Sequence, residues 1–449
     1  METCTMWNKM IEIMKQDIKP ATGCTEPISL AFAAATAAKE LGEPVQAVKA
    51  FVSANLMKNG MGVMVPGTGM PGLAIAAAVG ALGGDANAGL QVLKSLTPDV
   101  VAQGKQMVAD GKVTVGVNET TKHILYSEAN VYGESHHVRA VIVDNHTNVV
   151  LIEKDGQVIF EKKASCNDSE ADKITFLQSL SIKDILEFAE NIPLANIQFI
   201  KNAENLNDAL SKEGLTGKYG LRIGCTMEKS IKEGLLAGDL AREIQVRTVA
   251  ASDARMGGAA CPAMTNSGSG NQGITVSEPV TVVADHIKAS GEERVRALAL
   301  ASMVAIYAHS YLPKLSAFCA TVTAAMGAAA GMAWLLDRKT PYQTICKAIS
   351  SMNGGIVGMV CDGAADSCAM KVASAAEIAY RSVLMALAGI RVEGTDGLVA
   401  DTADECIRNV GLLASNGMQQ TDCEVLHIML NKNKGKRIIN RCIEKTMDL

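Results

Sequence analysis

The sequence predicts an α+β N-terminal domain with an antiparallel sheet, followed by a mainly α-helical C-terminal domain. Between residues 112 and 161, apolar residues alternate with polar ones and turn residues separate the runs, which is typical of β-strands. Beyond Gly217 the strand patterns nearly vanish and helical periodicity replaces them. We therefore expect domains at 1–215 and 216–449. Aromatic residues make up only 4%, against 40 Gly and 22 Met, so the cores should be built from small aliphatic residues and Met.

The N-terminal domain begins with helical patterns and continues into a meander. We expect an amphipathic helix over 5–18, an apolar helix from Thr25 to about Leu41, a strand over 47–56, a glycine-rich loop from Lys58 to Gly69, and helices near 70–83 and 97–110. The strands that follow are predicted at 113–117, 123–132, 138–144, 149–153 and 157–160. Asp155-Gly156 is a hairpin signal between the last two. A connection over 165–218 carries helices near 181–190 and 203–213.

The C-terminal domain is predicted as a helical bundle. Its helices are expected at 227–249, 291–309, 315–336, 340–352, 369–388, 402–414 and 421–432. The run Leu315–Leu336 has no charged residue and is long enough to span a bilayer. It consists mostly of small residues and contains Cys319, so a buried helix of a soluble bundle is favoured over a membrane span.

Composition excludes several classes of protein. Hydrophobic residues at 48% and charged residues at 20% are typical of a globular protein. A net charge of −5 without any Lys/Arg-rich run argues against nucleic acid as a partner. Met1–Asn8 lacks a signal-peptide pattern, so we expect a cytoplasmic protein. In that compartment, the 12 cysteines are expected to be reduced thiols, some of them metal ligands.

Three cysteines are the first candidate site. Cys319 lies in Leu-Ser-Ala-Phe-Cys-Ala, while Cys361 and Cys368 bracket the turn-rich segment Asp-Gly-Ala-Ala-Asp-Ser. Three thiolates on apolar helices can hold an iron–sulfur cluster with one iron left open to substrate. The alternative is that they are small core residues, because their spacing matches no compact ferredoxin motif. Cys225 and Cys261 are rival ligands that lack a turn-rich bracket.

Cys24 is the second candidate. It lies at or just before the predicted start of a helix, with Thr25 as N-cap and Glu26 and Pro27 in the first turn. The positive end of the helix dipole favours a thiolate there, so Cys24 is a candidate reactive thiol. The alternative is an incidental cysteine in an ordinary cap.

Two glycine-rich loops are candidates for binding a small carboxylate. The segment 266–273 contains a formal G-x-G-x-x-G, but no strand is expected before it and Pro279 is expected to prevent a helix directly after it, so we reject a dinucleotide fold. Its exposed amides suit a small anion instead; the alternative is a plain loop. The candidate residues are Asn266, Ser267, Ser269, Asn271 and Gln272. The loop after Lys58 and Asn59 lacks a P-loop ending, and these two side chains are expected to face a substrate carboxylate.

Motifs along the whole chain resemble the L-cysteine desulfidase family, which is related to the iron–sulfur L-serine dehydratases. The matching strings are KPATGCTEP from Lys19, NLMKNG from Asn55, VPGTG from Val65, AASDARMGG from Ala250, NSGSGNQG from Asn266, AAMGAAAGMAW from Ala324, CDGA from Cys361 and SCAMK from Ser367. The resemblance implies β-elimination of L-cysteine to hydrogen sulfide, ammonia and pyruvate, without pyridoxal phosphate.

The resemblance also implies a cofactor and an assembly. In the dehydratases three cysteines hold a [4Fe-4S] cluster, and they correspond most naturally to Cys319, Cys361 and Cys368, although the second spacing differs. The GCTEP segment resembles a dehydratase Ser-His-Thr-x-Gly-Pro segment, with Cys24 in place of the histidine. Whether Cys24 is a base or a fourth cluster ligand stays open. The relatives suggest a homodimer.

These implications give a mechanism to test. The open iron acts as a Lewis acid, Cys24 is the expected base within a catalytic segment that includes Thr25 and Glu26, and Arg255, Lys58 and the 266–273 amides hold the carboxylate of an amino-acid substrate. The GCTEP segment and the glycine loops are expected to close over the cysteines. The alternatives are dehydration of L-serine and a non-enzymatic protein that binds a metabolite or a cluster.

Overall fold

The computed structural model describes residues 3–21, 23, 25–162, 168–313 and 315–432. The chain divides into two compact units. The first, here called the helical unit, comprises Met1–Gly23, Cys166–Cys361 and Ala365–Met418. The second, here called the sheet unit, comprises Cys24–Ser165, Asp362–Ala364 and Gln419–Leu449. This division is interleaved along the chain and differs from a single boundary at 215/216, because the first helix and the helices of 168–214 pack with the later helices.

The elements are numbered along the chain. The sheet unit contains α2 (Thr25–Leu41), β2 (Ala47–Val52), α3 (Ala54–Gly60), β3 (Met64–Val65), β4 (Met70–Pro71), α4 (Leu73–Gly83), α5 (Pro98–Ala109), β5 (Val113–Val117), β6 (Tyr126–Tyr132), β7 (His137–Val143), β8 (Val149–Lys154), β9 (Gln157–Glu161) and α18 (Gln419–Lys432).

The helical unit contains the remaining elements. They are α1 (Thr3–Asp17), β1 (Pro20–Ala21), α6 (Asp168–Gln178), α7 (Ile182–Asn191), α8 (Leu194–Ile197), α9 (Lys201–Gly214), α10 (Ile223–Lys232), α11 (Leu240–Met256), β10 (Ala263–Met264), α12 (Gly270–His286), α13 (Gly291–His309), α14 (Thr321–Leu336), α15 (Pro341–Ile356), α16 (Cys368–Leu387) and α17 (Ala403–Leu412).

The sheet unit is built on a six-stranded sheet of order β5-β2-β6-β7-β8-β9. The predicted antiparallel meander is confirmed for β6, β7, β8 and β9, which pair in succession, but not for the strand predicted at 113–117, because β5 pairs with β2 instead. β2 pairs antiparallel with β6 and parallel with β5, so the sheet is mixed at that edge. Val48 and Ala50 belong to a core cluster shared with α2 and α4. The predicted class, an N-terminal α+β region and a mainly helical C-terminal region, is confirmed.

Some local predictions are wrong. The single helix expected over 227–249 is two helices, α10 and α11, separated by residues 233–239. The strand expected over 47–56 ends at Val52, because the Ser53 hydroxyl accepts a hydrogen bond from the Leu56 amide and caps α3. Lys58 and Asn59 therefore lie in the last turn of α3 rather than in a loop. Pro279 was expected to prevent a helix, yet α12 continues through it to His286. Every residue of α12 from Gly270 to Ala284 is buried, so packing outweighs the local cost of proline.

The centre of the helical unit is α14. All its residues from Thr321 to Leu335 are buried, which confirms the expectation of a buried helix in a bundle. Gly327 allows close packing, because a Cβ at this position would lie 2.2 Å from the Ala301 carbonyl oxygen of α13. None of the helices within the described ranges is both long and apolar enough to span a membrane.

Glu278 of α12 provides a test of this packing. Its side chain is fully buried, and the Arg247 guanidinium lies 3.6 Å from it without a hydrogen bond. Burial raises the pKa of Glu278 from about 4.5 to about 8. The folded state therefore binds more protons than the unfolded state between these values, and stability should fall as pH rises through this window.

We predict that Glu278→Gln removes this pH dependence and stabilises the protein at pH 8 by about 1–3 kcal/mol, because the neutral amide has no ionised form to bury. Urea unfolding at pH 5 and pH 8 measures the effect. Glu243→Gln is the control, since Glu243 faces the same Arg247 from an exposed position. A variant less stable than the wild-type protein at pH 8 would contradict the assignment.

Candidate active site

Cys319 and Cys361 are held next to each other by a short antiparallel bridge. Phe318 pairs with Val360. The Cys319 amide donates to the Met359 carbonyl at 3.0 Å, and the Cys361 amide donates to the Ala317 carbonyl at 2.7 Å. These backbone bonds join two cysteines that are 42 positions apart in the sequence.

Cys368 is the first residue of α16, a helix of 20 residues. Burial raises the pKa of the Cys319 thiol to about 11, and the nearby Cys361 and Cys368 act in the same direction. Burial also raises the pKa of Cys368, again with a contribution from Cys361. Cys319 is buried, Cys361 and Cys368 are partly exposed, and the three cysteines named from the sequence lie near enough in the helical unit to affect one another's pKa.

Cysteine thiols are the ligands that iron–sulfur clusters use. None of the three cysteines forms a disulfide. Across the described residues, no three His, Cys, Asp or Glu side chains surround a point where one metal ion could bind. The thiolates of an iron–sulfur cluster bind different iron atoms and do not need to converge on one point. Cys319, Cys361 and Cys368 are the residues that would hold such a cluster.

Arg255 is a buried cation that forms no ion pair with any described residue. It lies in the last turn of α11 and is 7% exposed. Nη2 donates to the Gly23 carbonyl at 3.0 Å and Nη1 contacts the Met256 sulfur at 3.2 Å, while Nε has no acceptor among the described residues. No carboxylate of the described chain pairs with it. A buried guanidinium in this condition is a candidate site for an anionic ligand group.

The guanidinium lies against the start of α12. A Cβ at Gly270 would be only 2.1 Å from Arg255 Nε, so a side chain at this position would collide with it. Gly270 is the first residue of α12, where unpaired amides and the helix dipole favour negative charge. Arg255 and this helix end therefore present positive potential to the same place.

Some residues of the 266–272 segment form hydrogen bonds that hold the conformation of the loop itself. The Asn266 and Ser269 backbones exchange hydrogen bonds of 3.1 and 3.0 Å, and Ser267 takes a positive φ of 49° between them. The Ser267 hydroxyl donates to Asn266 Oδ1, and Asn266 Nδ2 donates to the Ser302 carbonyl. Ser269 is the N-cap of α12. These three side chains shape the loop.

Asn271 and Gln272 lie in the first turn of α12. Asn271 bonds to the Ser252 hydroxyl at 3.1 Å and to the Met256 sulfur at 3.3 Å, so it shares Met256 with Arg255. Gln272 is 5% exposed, and its Oε1 has no hydrogen-bond partner among the described residues. It is a buried acceptor in need of a donor.

A two-strand pairing brings the segment before Cys24 to this loop. Pro20 pairs with Met264, and the Thr265 amide donates to the Lys19 carbonyl at 2.9 Å. Gly23 then accepts the hydrogen bond from Arg255. Cys24, one peptide bond further along the sequence, lies outside the described residues.

The sheet unit holds the other candidates. The Thr25 hydroxyl donates to Glu26 Oε2 at 3.3 Å, and Asn59 Nδ2 donates to Glu26 Oε1 at 3.4 Å, so these three side chains lie together at the start of α2. Lys58 is 1% exposed and forms an ion pair of 2.5 Å with Asp422 of α18. Its binding to a substrate carboxylate would require that ion pair to break.

Sequence reasoning missed Asp253, which lies in the same Ala250–Gly258 string as Arg255. It is 1% exposed, Oδ2 accepts the Gly224 amide at 3.0 Å, and Oδ1 has no partner within the described residues. Burial raises the pKa of Asp253 to about 6. The available signal was an acidic residue two positions before Arg255 in a string made mostly of Ala, Gly and Ser. No sequence signal pointed to Asp422 or Met256. Asp422 acts through a contact with Lys58, which is distant in sequence, and Met256 acts as a sulfur acceptor.

Comparison with known proteins identifies the class. The sequence model of the family described as "Serine dehydratase alpha chain" matches residues 87–427, about three quarters of the chain. The chain belongs to this family, and the resemblance to the serine dehydratases read from its motifs is confirmed. Dehydration of serine is a β-elimination, so this is a family of lyases.

Individual relatives match over nearly their whole length. The chain is 53% identical over 428 residues to the UPF0597 protein YhaM of Shigella boydii serotype 4 (strain Sb227), covering 95% of this chain and 98% of that protein. It matches YhaM of Shigella sonnei (strain Ss046) and of Escherichia coli (strain K12 / DH10B) with the same identity and coverage.

The three thiols predict a sharp mutational pattern. Cys319→Ser, Cys361→Ser and Cys368→Ser should each remove most of the bound iron after anaerobic reconstitution with iron and sulfide, because each change removes a soft ligand. Iron content and visible absorbance measure the loss. The matched control is Cys225→Ala, whose thiol donates to the Gly214 and Leu215 carbonyls and should be dispensable. Full iron content in any of the three variants would remove that cysteine from the ligand set.

Proposed function

We propose that the protein is an iron–sulfur-dependent lyase that degrades L-cysteine to hydrogen sulfide, ammonia and pyruvate. The observation that carries the proposal is the group of interacting thiols at Cys319, Cys361 and Cys368, on a chain that belongs to a dehydratase family. The buried Arg255, whose Nε has no acceptor among the described residues, supports an amino-acid substrate with a carboxylate. When bound, a [4Fe-4S] cluster would supply Lewis-acid assistance to the departing group.

Arg255 and the start of α12 are proposed to bind the substrate carboxylate. Arg255 Nε is a buried donor without an acceptor, and Gln272 Oε1 is a buried acceptor without a donor among the described residues. An α-amino acid carries one group of each kind, since its carboxylate accepts and its ammonium donates. Satisfying buried groups of this type favours a zwitterion over a neutral ligand.

Cys24 is proposed as the base that removes the α-proton. Gly23, directly before it in the sequence, accepts a hydrogen bond from Arg255, the residue proposed to bind the carboxylate. Loss of the α-proton and of the sulfur group leaves aminoacrylate, which tautomerises and hydrolyses to pyruvate and ammonia. Thr25, Glu26 and Asn59 are proposed to support the same segment.

The role of Cys24 can be separated from cluster binding. Cys24→Ala should retain the iron content of the wild-type protein and lose turnover if Cys24 is the base. It should lose iron as well if Cys24 is a fourth ligand. Iron analysis and sulfide release on one anaerobic preparation distinguish these roles. Turnover unchanged from the wild-type protein would exclude both.

We predict that Arg255→Lys raises KM for the amino acid at least tenfold, because a single ammonium cannot keep the contacts to the Gly23 carbonyl and the Met256 sulfur and also replace the Nε donor to a carboxylate. Steady-state kinetics measure the change. Arg242→Lys in the first turn of the same helix is the control and should leave KM unchanged. The carboxylate role fails if Arg255→Lys and the wild-type protein have the same KM.

The second candidate is dehydration of L-serine, which the name of the matching family favours. Thiolate is a better leaving group than hydroxide and a softer ligand for iron, which favours L-cysteine. We predict a higher kcat/KM for L-cysteine than for L-serine, measured side by side on one reconstituted preparation. A higher value for L-serine would assign the protein as a dehydratase. A colourless protein after reconstitution, with no turnover of either amino acid, would leave a binding function.

A further inference from the structure

The Thr321 hydroxyl lies between two sulfur atoms, that of Cys319 and that of Met359. Its Oγ1 is 3.0 Å from Cys319 Sγ and 3.5 Å from Met359 Sδ. It is the first residue of α14 and is 6% exposed, so water does not compete strongly for its hydroxyl. The same backbone bridge that positions Cys319 fixes Met359, through the hydrogen bond from the Cys319 amide to the Met359 carbonyl.

One hydroxyl proton cannot serve both sulfurs. When Cys319 is a thiol, its S–H can donate to Thr321, and Thr321 can donate to Met359. When Cys319 is a thiolate bound to iron, it has no proton and can only accept. The favourable arrangement then turns the Thr321 hydroxyl from Met359 to Cys319, where the bond is assisted by charge.

Donation to a ligating sulfur stabilises the thiolate as a ligand. Hydrogen bonds donated to the ligating sulfurs help to determine how tightly a protein retains an iron–sulfur cluster. They also help to set the reduction potential of the cluster. No other side-chain hydroxyl donor to the Cys319 sulfur occurs in the described part of the chain.

We propose that Thr321 is a positioning residue for the iron–sulfur cluster, whose hydroxyl donates to the Cys319 thiolate and retains the cluster. This inference rests on the proposed function, because it requires Cys319 to be a cluster ligand. Met359 holds the same hydroxyl before the cluster is inserted. Thr321 thus contributes to cofactor retention without contacting the reacting atoms.

The test compares three variants after anaerobic reconstitution. Thr321→Val removes the hydroxyl at nearly constant shape, Thr321→Ser restores it, and Met359→Leu removes the competing acceptor while disturbing the packing on the other side of the hydroxyl. The measurement is the rate at which an iron chelator bleaches the visible absorbance under argon. Thermal unfolding of the unreconstituted proteins checks that each variant folds.

We expect Thr321→Val to lose its cluster about 10-fold faster than the wild-type protein, since loss of a partner of a metal ligand typically costs 10–100-fold in affinity. Thr321→Ser should lose it at the wild-type rate, and Met359→Leu no faster than the wild-type protein. The inference is overturned if Thr321→Val bleaches at the wild-type rate, or if Met359→Leu bleaches as fast as Thr321→Val. If Thr321→Val does not fold, a fourth variant, Thr321→Ala, replaces it. The inference is then overturned if Thr321→Ser and Thr321→Ala bleach equally fast. A wild-type protein that takes up no iron overturns the proposed function and this inference together.

Discussion

The hydrogen bond from Arg255 to the Gly23 carbonyl is the interaction on which the candidate site depends. It joins the end of α11 to the segment that leads into Cys24, across more than half of the sequence. The same guanidinium lies against Gly270 at the start of α12 and shares the Met256 sulfur with Asn271. A single buried cation therefore organises three segments, and it retains one donor that none of the described residues satisfies.

The three cysteines Cys319, Cys361 and Cys368 are positioned by backbone interactions rather than by a buried charge. Backbone hydrogen bonds around Phe318 and Val360 position two of the cysteines, and the start of α16 positions the third. Burial makes ionisation of Cys319 unfavourable without a metal, so thiolate formation and metal binding should occur together.

Much of the fold could be predicted from the sequence. The meander was readable because alternation and the Asp155-Gly156 turn act locally. α12 was not, because Pro279 disfavours a helix locally and only the surrounding buried helices compensate. The end of β2 was missed for a related reason, since the cap by Ser53 outweighs the apolar run that continues beyond Val52.

The candidate site likewise contains residues that the sequence indicated and contacts that it did not. The sequence singled out Cys319, Cys361 and Cys368, and it singled out Arg255 together with the 266–272 loop; the structure places Arg255 against Gly270, while the roles of these residues stay predictions. The ion pair of Lys58 with Asp422 was not, because it joins residues 364 positions apart and no local pattern indicates it. Long-range polar contacts of this kind become visible only once the chain is folded.

The most direct test of the proposed lyase is the product balance of the anaerobically reconstituted protein supplied with L-cysteine. Sulfide, pyruvate and ammonia should appear in equal amounts and in proportion to the iron bound. Iron-loaded protein that releases none of the three would contradict the account.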